Sequence, residues 1–272
     1  MKANSLLVLL LIQLMTPCVA AQEMPLATLN CDELSVPLID IGADLITPKV
    51  VDPKPAFARA FAEDKTLAKR LANAGKQDPA GLCHYRDENQ LRKSQKVPVE
   101  TIFIGDSITE GWGKAAHNPF TDKVLNRGIA GQTTTQMLLR FRQDVLALRP
   151  STVHILAGTN DVSSSHGILL AMDNISSMVE LAQANHIQVV LSTLPPSDHY
   201  WLYPKLTPQH AIRQLNKYII ELAQDYQLRL IDYYTPLDDG HGGLSDELSN
   251  DGLHPNERGY EIMFASWIQK KP

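Results

Sequence analysis

The sequence predicts an α/β protein, a three-layer sandwich around a five-stranded parallel sheet. From Val97 onward, short β-branched apolar runs alternate with longer helical stretches. Strands and helices that alternate in this way pair in parallel through right-handed crossovers, with helices on both faces of the sheet. The 272 residues, 44% of them hydrophobic, suffice to bury such a core and exclude a disordered or collagen-like chain.

Five β-branched apolar runs are predicted to form the strands, the second of them being the weakest. In chain order they are Thr101–Ile104, Val124–Asn126, Thr152–Leu156, Gln188–Leu191 and Leu228–Ile231. Together with the helices between them, they predict a flavodoxin-like sandwich, in which functional sites lie at the carboxyl ends of the strands. The predicted helices are Thr134–Leu148, Ile168–Asn185, Pro208–Gln227 and Asn256–Gln269.

The first 21 residues have the layout of a secretory signal peptide. Lys2 gives a positive start, Leu6–Met15 is an apolar run, and small residues follow at 18–21. The run is too short to span a bilayer comfortably, and no later stretch reaches about 20 apolar residues. We therefore expect an exported protein, periplasmic or secreted, without stable membrane insertion.

Residues 22–96 are expected to form a mostly helical or irregular segment that packs on the main domain, residues 97–272. Prolines interrupt its first half, and helices are predicted over Ala56–Ala74 and Tyr85–Ser94. The segment shows no motif that carries chemistry.

The cysteines indicate how this segment is held. Cys18 leaves with the signal peptide, which leaves Cys31 and Cys83 in the mature chain. They are either a disulfide pair or two buried thiols. Export favours the disulfide, because thiols oxidise outside the cytosol.

Polar residues gather where the predicted strands end. Gly105-Asp106-Ser107 follows the first strand, a glycine-rich turn with Gly131 follows the second, and Gly158–Asp161 follows the third. Asp251–His254 precedes the last helix. Ser107 lies where the strand turns into a helix, so its hydroxyl suits either a nucleophile or a plain helix N-cap.

Asp251 and His254 are three residues apart, and they suit a general base and its orienting carboxylate. The same spacing recurs at Asp238 and His241 in the preceding loop. We prefer His254 because Pro255 suits the first position of the closing helix and so fixes the histidine, whereas glycines flank His241.

Acyl transfer also needs donors for the oxygen that becomes negative in the tetrahedral intermediate. The backbone N–H of Gly131, the side-chain amide of Asn160 and the N–H of Ser107 are the candidates. Taken alone, Gly131 reads as a turn glycine and Asn160 as a loop cap. Their joint position at one sheet edge, beside a serine and an Asp/His pair, favours the catalytic interpretation.

These blocks resemble those of the SGNH or GDSL hydrolase family. Gly105–Ser107, Gly131, Gly158–Asp161 and Asp251–His254 match the family's blocks in order. One departure is Ile108, which stands where the family has the leucine of its second name. Within the family, the chain looks like exported bacterial members that are labelled lysophospholipase- or acetylhydrolase-like.

The resemblance covers about residues 98–270 and implies a flavodoxin-like fold. It implies that Ser107 is the nucleophile, that His254 is the base and that Asp251 is its partner. It also implies that no metal is required and that the oxyanion hole is formed by Ser107, Gly131 and Asn160.

Three aromatic residues are candidates for substrate binding. Trp112 either walls an acyl pocket or packs beneath the N-terminal segment. Tyr200 and Trp201 belong to a proline-rich aromatic stretch after the fourth strand. That stretch either offers a stacking surface to a sugar or a lipid headgroup, or packs on its own protein. Arg127 either favours anionic substrates or pairs with an acid.

The sequence therefore predicts a serine esterase that hydrolyses small O-acyl esters of carbohydrate or lipid through an acyl-enzyme. One alternative is an O-acyltransferase that uses the same triad, and another is a non-catalytic glycan-binding protein. The formal net charge of −5 argues against a nucleic-acid partner. No cofactor is expected, because the chain has no glycine-rich phosphate loop after its first strand.

Overall fold

The computed structural model describes residue 31 and residues 75–163, 167–200 and 205–269. The predicted signal peptide over residues 1–21, the predicted helix over Ala56–Ala74 and the side chain of Trp201 lie outside the described residues. None of the helices in the described ranges is long and apolar enough to cross a bilayer.

The sheet has five parallel strands in the order β2-β1-β3-β4-β5, as expected for a flavodoxin-like fold. The predicted fold class is confirmed. The strands are β1 (Thr101–Gly105), β2 (Val124–Gly128), β3 (Thr152–Leu156), β4 (Gln188–Ser192) and β5 (Arg229–Ile231).

The described helices follow the predicted pattern, with small differences at their ends. They are α1 (Arg86–Gln95), α2 (Ser107–Trp112), α3 (Thr134–Asp144), α4 (Gly167–Ala184), α5 (Gln209–Asp225) and α6 (Glu257–Ile268). The helix predicted to reach Leu148 ends earlier because Val145 leaves the α-helical region, and a 3₁₀ turn continues the chain. At α6, the side chain of Asn256 caps the helix by accepting the N–H groups of Arg258 and Gly259.

The carboxyl ends of β1, β2 and β3 lie level with one another. Gly105 of β1 pairs in register with Gly128 of β2 and with Leu156 of β3. A Cβ at Gly128 would lie 2.2 Å from the backbone nitrogen of Glu110, so α2 can approach β2 only over a glycine. The loops that follow these three strands therefore begin at one edge of the sheet.

Trp112 belongs to the aromatic core between the sheet and α6. Its indole lies edge-on to Phe103, with ring centroids 5.8 Å apart. It stacks on Tyr260 of α6 at 5.9 Å, with 19° between the ring planes. The Tyr260 hydroxyl donates to the carbonyl of Ile108 at 2.8 Å. These contacts fasten α2 to α6.

The segment before β1 packs on the sheet through buried polar groups. Asn89 of α1 accepts from Arg127 at 2.8 Å and donates to Asp144 at 2.7 Å. Arg127 is 1% exposed and its other partners include Glu88, so it pairs with an acid and does not face substrate. A disulfide bond joins Cys31 to Cys83, the first of the two arrangements expected from the sequence.

Candidate active site

Ser107 is the first residue of α2 and is partly exposed. The preceding residue, Asp106, is the N-cap, and its side chain accepts the N–H of Ile108 at 2.9 Å. The interpretation of Ser107 as the cap is therefore wrong. Its own backbone N–H lies in the first turn, where no intrahelical acceptor exists.

Ser107, His254 and Asp251 form a continuous hydrogen-bonded chain. Ser107 Oγ lies 2.9 Å from Nε2 of His254, and Nδ1 of the same ring lies 2.7 Å from Oδ2 of Asp251. The two ring nitrogens therefore face a hydroxyl on one side and a carboxylate on the other. This geometry allows the ring to accept a proton from Ser107 while it donates to Asp251.

The turn that carries the histidine is organised by Ser249, which the sequence analysis missed. Ser249 Oγ accepts the N–H of Gly252 at 2.9 Å and lies 2.7 Å from the carbonyl oxygen of His254. Ser249 and Pro255 also form an antiparallel bridge at the base of the turn. Pro255 is not the first residue of the helix, because Asn256 follows it as the cap. The turn, rather than the helix start, fixes His254.

Asp251 and His254 shift each other's pKa values in opposite directions. Burial works against ionisation of Asp251, but His254 and the backbone N–H donors outweigh it and lower the pKa to about 2. Burial works against protonation of His254, but the Asp251 carboxylate outweighs it and raises the pKa. Asp251 is therefore ionised at neutral pH, and His254 is a stronger base than an ordinary imidazole.

The competing pair, Asp238 and His241, is placed differently. His241 is exposed, and Asp238 accepts the backbone N–H groups of Gly240 at 3.1 Å and Gly242 at 2.8 Å. The Asp238 carboxylate therefore shapes its own loop. Among the described residues, no group of three or more His, Cys, Asp or Glu side chains is placed to hold a metal ion.

Gly131 and Asn160 meet at the same edge of the sheet. Gly131 is exposed and has φ +77°, a conformation that favours glycine, and within the described ranges its N–H meets no protein acceptor. Asn160 Nδ2 donates to the carbonyl of Gln132 at 3.0 Å. A primary amide has two N–H donors, so the second one is available to a ligand.

Two of the three aromatic candidates are buried in the protein. Trp112 is fully buried, so the acyl-pocket interpretation is wrong, and its neighbours are core residues of the sheet and α6. Tyr200 is 5% exposed, and its hydroxyl donates to the carbonyl of Thr159 at 2.8 Å. It therefore supports the loop that carries Asn160 and offers no stacking surface. Trp201 lies in a part of the chain that is not described.

Residues 103–262, more than half of the chain, match the model of the GDSL-like lipase/acylhydrolase family. The chain belongs to this family. A GDSL-like lipase from Bacteroides thetaiotaomicron has a solved structure that is 36% identical in sequence, with a TM-score of 0.65. The match covers 69% of this chain and 95% of that one.

Two proteins named as esterases are related in sequence to this GDSL-family chain. Esterase TesA of Pseudomonas aeruginosa is 24% identical over 176 residues, which cover 60% of this chain and 83% of that protein. An acetylxylan esterase of Geobacillus stearothermophilus is 33% identical over 85 residues, with coverages of 22% and 39%. The GDSL-family protein described here is accordingly a carboxylic ester hydrolase.

Proposed function

We propose that this esterase hydrolyses small O-acyl esters of carbohydrate or lipid, with Ser107 as nucleophile, His254 as general base and Asp251 as its orienting partner. The observation that carries the proposal is the hydrogen-bonded chain from the serine hydroxyl through the imidazole to the buried carboxylate. A serine hydroxyl is a weak nucleophile unless a base takes its proton, and the imidazole of His254 is placed to act as that base.

In the first half of the reaction, Ser107 Oγ attacks the carbonyl carbon of the ester while its proton passes to Nε2 of His254. The carbonyl oxygen becomes an oxyanion. Three donors support it: the N–H groups of Ser107 and Gly131, and the free N–H of the Asn160 amide. Donors of this kind stabilise the transition state because the charge develops where they already point.

The intermediate then breaks down. The protonated His254 gives its proton to the ester oxygen of the alcohol, the bond between that oxygen and the carbonyl carbon breaks, and the acyl group stays on Ser107. Water then attacks the acyl carbon while His254 takes its proton. The bond between Ser107 Oγ and that carbon breaks, His254 returns the proton to Ser107 Oγ, and the carboxylic acid leaves. Asp251 stabilises the imidazolium at each stage without itself accepting the proton.

Three observations support the substrate class and the compartment. Gly131 has open space where a side chain would begin, so a small acyl group can reach the edge of the sheet. An acetylxylan esterase is among the relatives. Disulfides such as Cys31–Cys83 persist in oxidising compartments, which supports an exported protein that acts outside the cytoplasm.

The decisive experiment compares Ser107→Ala with Ser266→Ala. Ser266 serves as the control, because it lies in the last turn of α6 and its hydroxyl donates to the carbonyl of Ile262. Turnover of p-nitrophenyl acetate and labelling by a fluorophosphonate are measured on both folded variants. We expect Ser107→Ala to lose both, Ser266→Ala to keep both, and peptide mapping of the wild type to place the label on Ser107. Unchanged turnover in Ser107→Ala overturns the proposal.

The substrate class has its own test. Initial rates are measured on p-nitrophenyl esters from acetate to palmitate, on acetylated xylan and on a lysophospholipid. We expect the highest kcat/KM with acetate. A preference for palmitate contradicts the assignment to small acyl groups and leaves the triad intact.

A further inference from the structure

Gln132, which follows Gly131, is a buried residue with hydrogen bonds to three separate parts of the molecule. Its side chain is 4% exposed in a turn whose neighbours reach solvent. Nε2 donates to the carbonyl of Ala80 at 2.8 Å, and Oε1 accepts from Nε of Arg140 at 2.5 Å. Its backbone carbonyl accepts the amide of Asn160 at 3.0 Å. One residue therefore adjoins Gly131 in sequence and holds Asn160 through space.

Arg140 gives Gln132 a rigid support on the sheet side. The guanidinium is fully buried and donates to Asp144 at 2.9 Å. It also donates to the backbone carbonyls of Gly105 at 3.1 Å and Arg127 at 2.8 Å, at the ends of β1 and β2. Arg140 therefore ties the Gln132 side chain to the carboxyl ends of β1, inside the sheet, and β2, at its edge.

Ala80 gives the second support, from the segment that precedes β1. The turn around Ala80 is held by Asp78, whose carboxylate accepts the N–H groups of Leu82 and Cys83, each at 2.8 Å. Cys83 is itself held by the disulfide to Cys31. The segment before β1, in which the sequence shows no catalytic motif, therefore contacts Gln132, the residue next to Gly131.

The rest of the glycine turn is also held by hydrogen bonds. Ile129 N–H donates to Gly105 at 3.1 Å, and Ala130 N–H donates to the side chain of Glu110 at 2.9 Å. Gln132 N–H closes the turn on Ile129 at 3.2 Å. In the described part of the chain, the N–H of Gly131 is the one in this turn that meets no acceptor. The bonds on either side of it leave it free for a ligand.

We propose that Gln132 is a positioning residue that sets the two donors Gly131 N–H and Asn160 amide relative to each other. The segment around Ala80 then acts on ester hydrolysis through its bond to Gln132. This inference rests on the proposed function, because it assigns a task to residues that support the same oxyanion. Donors of an oxyanion hole act at 2.7–3.1 Å, and a misplacement of about 1 Å costs about 100-fold in rate.

The test replaces Gln132 by methionine, which has a similar length but cannot donate a hydrogen bond and accepts one only weakly. Gln143→Met is the matched control, because Gln143 also donates to the same segment, at the carbonyl of Leu82 at 2.6 Å, and has no bond to the glycine turn. Both variants are made in the full chain with its disulfide, and kcat and KM are measured with p-nitrophenyl acetate alongside thermal unfolding. We expect kcat to fall by about 10- to 100-fold in Gln132→Met, with KM within about twofold, and kcat to stay near the wild-type value in Gln143→Met.

A second variant keeps the inference testable if Gln132→Met does not fold. Gln132→Glu keeps an acceptor for Arg140 and replaces the donor to Ala80 by a carboxylate oxygen, so it breaks the bond to the N-terminal segment and adds a buried charge beside Arg140. We expect a reduced kcat with an unchanged KM in this variant as well. Equal kcat losses in the Gln132 and Gln143 variants, or a wild-type kcat in both Gln132 variants, overturn the inference. Either result leaves the proposed function standing as long as Ser107→Ala is inactive.

Discussion

Asp251 holds both the ring and the backbone of His254. Its Oδ2 lies 2.7 Å from Nδ1 of the imidazole, while its Oδ1 accepts the backbone N–H of the same histidine at 2.8 Å. Oδ1 also accepts the N–H of Leu253 at 3.0 Å. The two backbone bonds fix the Asp251 carboxylate, and the fixed carboxylate orients the ring. The three-residue separation of Asp251 and His254 allows both kinds of bond within one small turn.

The first prediction concerns the pH dependence of hydrolysis. The base must be neutral, so activity rises as the pH passes upward through the pKa of His254. Because Asp251 raises that pKa above the usual 6.5, we expect the acid limb of kcat/KM to lie above 6.5 in the wild type. Asp251→Asn removes the negative charge, so the limb moves to lower pH, and kcat falls by up to about 10⁴-fold.

Asp238→Asn is the matched control for this prediction, because Asp238 has the same spacing to His241. Full pH profiles of the two variants are compared with that of the wild type. We expect Asp238→Asn to keep the wild-type limb and kcat. A shifted limb in Asp238→Asn together with an unshifted one in Asp251→Asn would mean that the other pair carries the chemistry.

The second prediction concerns the amide donor. Asn160→Ala removes the free N–H, and we expect kcat to fall by about 10²–10³-fold with little change in KM, because the lost bond strengthens only as the oxyanion forms. Asn174→Ala is the control. Its amide donates to the hydroxyls of Thr134 and Thr135 on α3, so the variant removes an asparagine amide that bonds to α3 and not to the glycine turn. Equal kcat values in the Asn160 and Asn174 variants contradict the oxyanion assignment.

The third prediction concerns Trp112. Truncation of a large buried side chain leaves a cavity, so Trp112→Ala is expected to lower the free energy of unfolding by about 3–5 kcal/mol. Trp112→Phe keeps an aromatic ring against Tyr260 and is expected to cost less. Urea denaturation gives the free energies. The ratio of kcat/KM for acetate and butyrate esters is measured on Trp112→Phe and on the wild type. A large difference between the two ratios would mean that Trp112 lines the acyl pocket.

The fourth prediction concerns the disulfide. Cys31 and Cys83 are 52 residues apart, and a cross-link of that span stabilises by about 4 kcal/mol in the chain-entropy model. Cys83→Ser is therefore expected to lower the urea midpoint of the wild type. A reductant is expected to lower the wild-type midpoint to the same value and to leave that of the variant unchanged. A wild-type midpoint that does not respond to complete reduction contradicts the prediction.

The strands and the separated site blocks were predictable because each depends on a local pattern. Apolar runs mark the strands of a sheet buried on both faces, and polar residues directly after them, such as Ser107 and Asn160, must lie at its carboxyl edge. The position of Trp112 was not predictable in the same way. Helix α2 is too short for periodicity to distinguish its inner face from its outer one. Trp112 is buried because α6, far along the chain, packs against it.

The supporting residues were missed for a related physical reason. Gln132 and Ser249 are ordinary polar residues in turns. The partners of Gln132 include Ala80, 52 residues away, and the partners of Ser249 are mostly backbone groups of its own turn. A bond between such residues leaves no spacing signal. Two signs were available: Gln132 directly follows Gly131, and Ser249 lies two residues before Asp251.

The stack of Trp112 on Tyr260 has a consequence for how the enzyme behaves when it is warmed. Ser107 and His254 are 147 positions apart, yet the helices beside them are locked to each other by this stack. Since α2 begins with Ser107 and α6 begins shortly after the turn that holds His254, we expect the separation of the two reacting groups to stay fixed as long as the core is folded. Heat inactivation should then coincide with the cooperative collapse of the core rather than precede it.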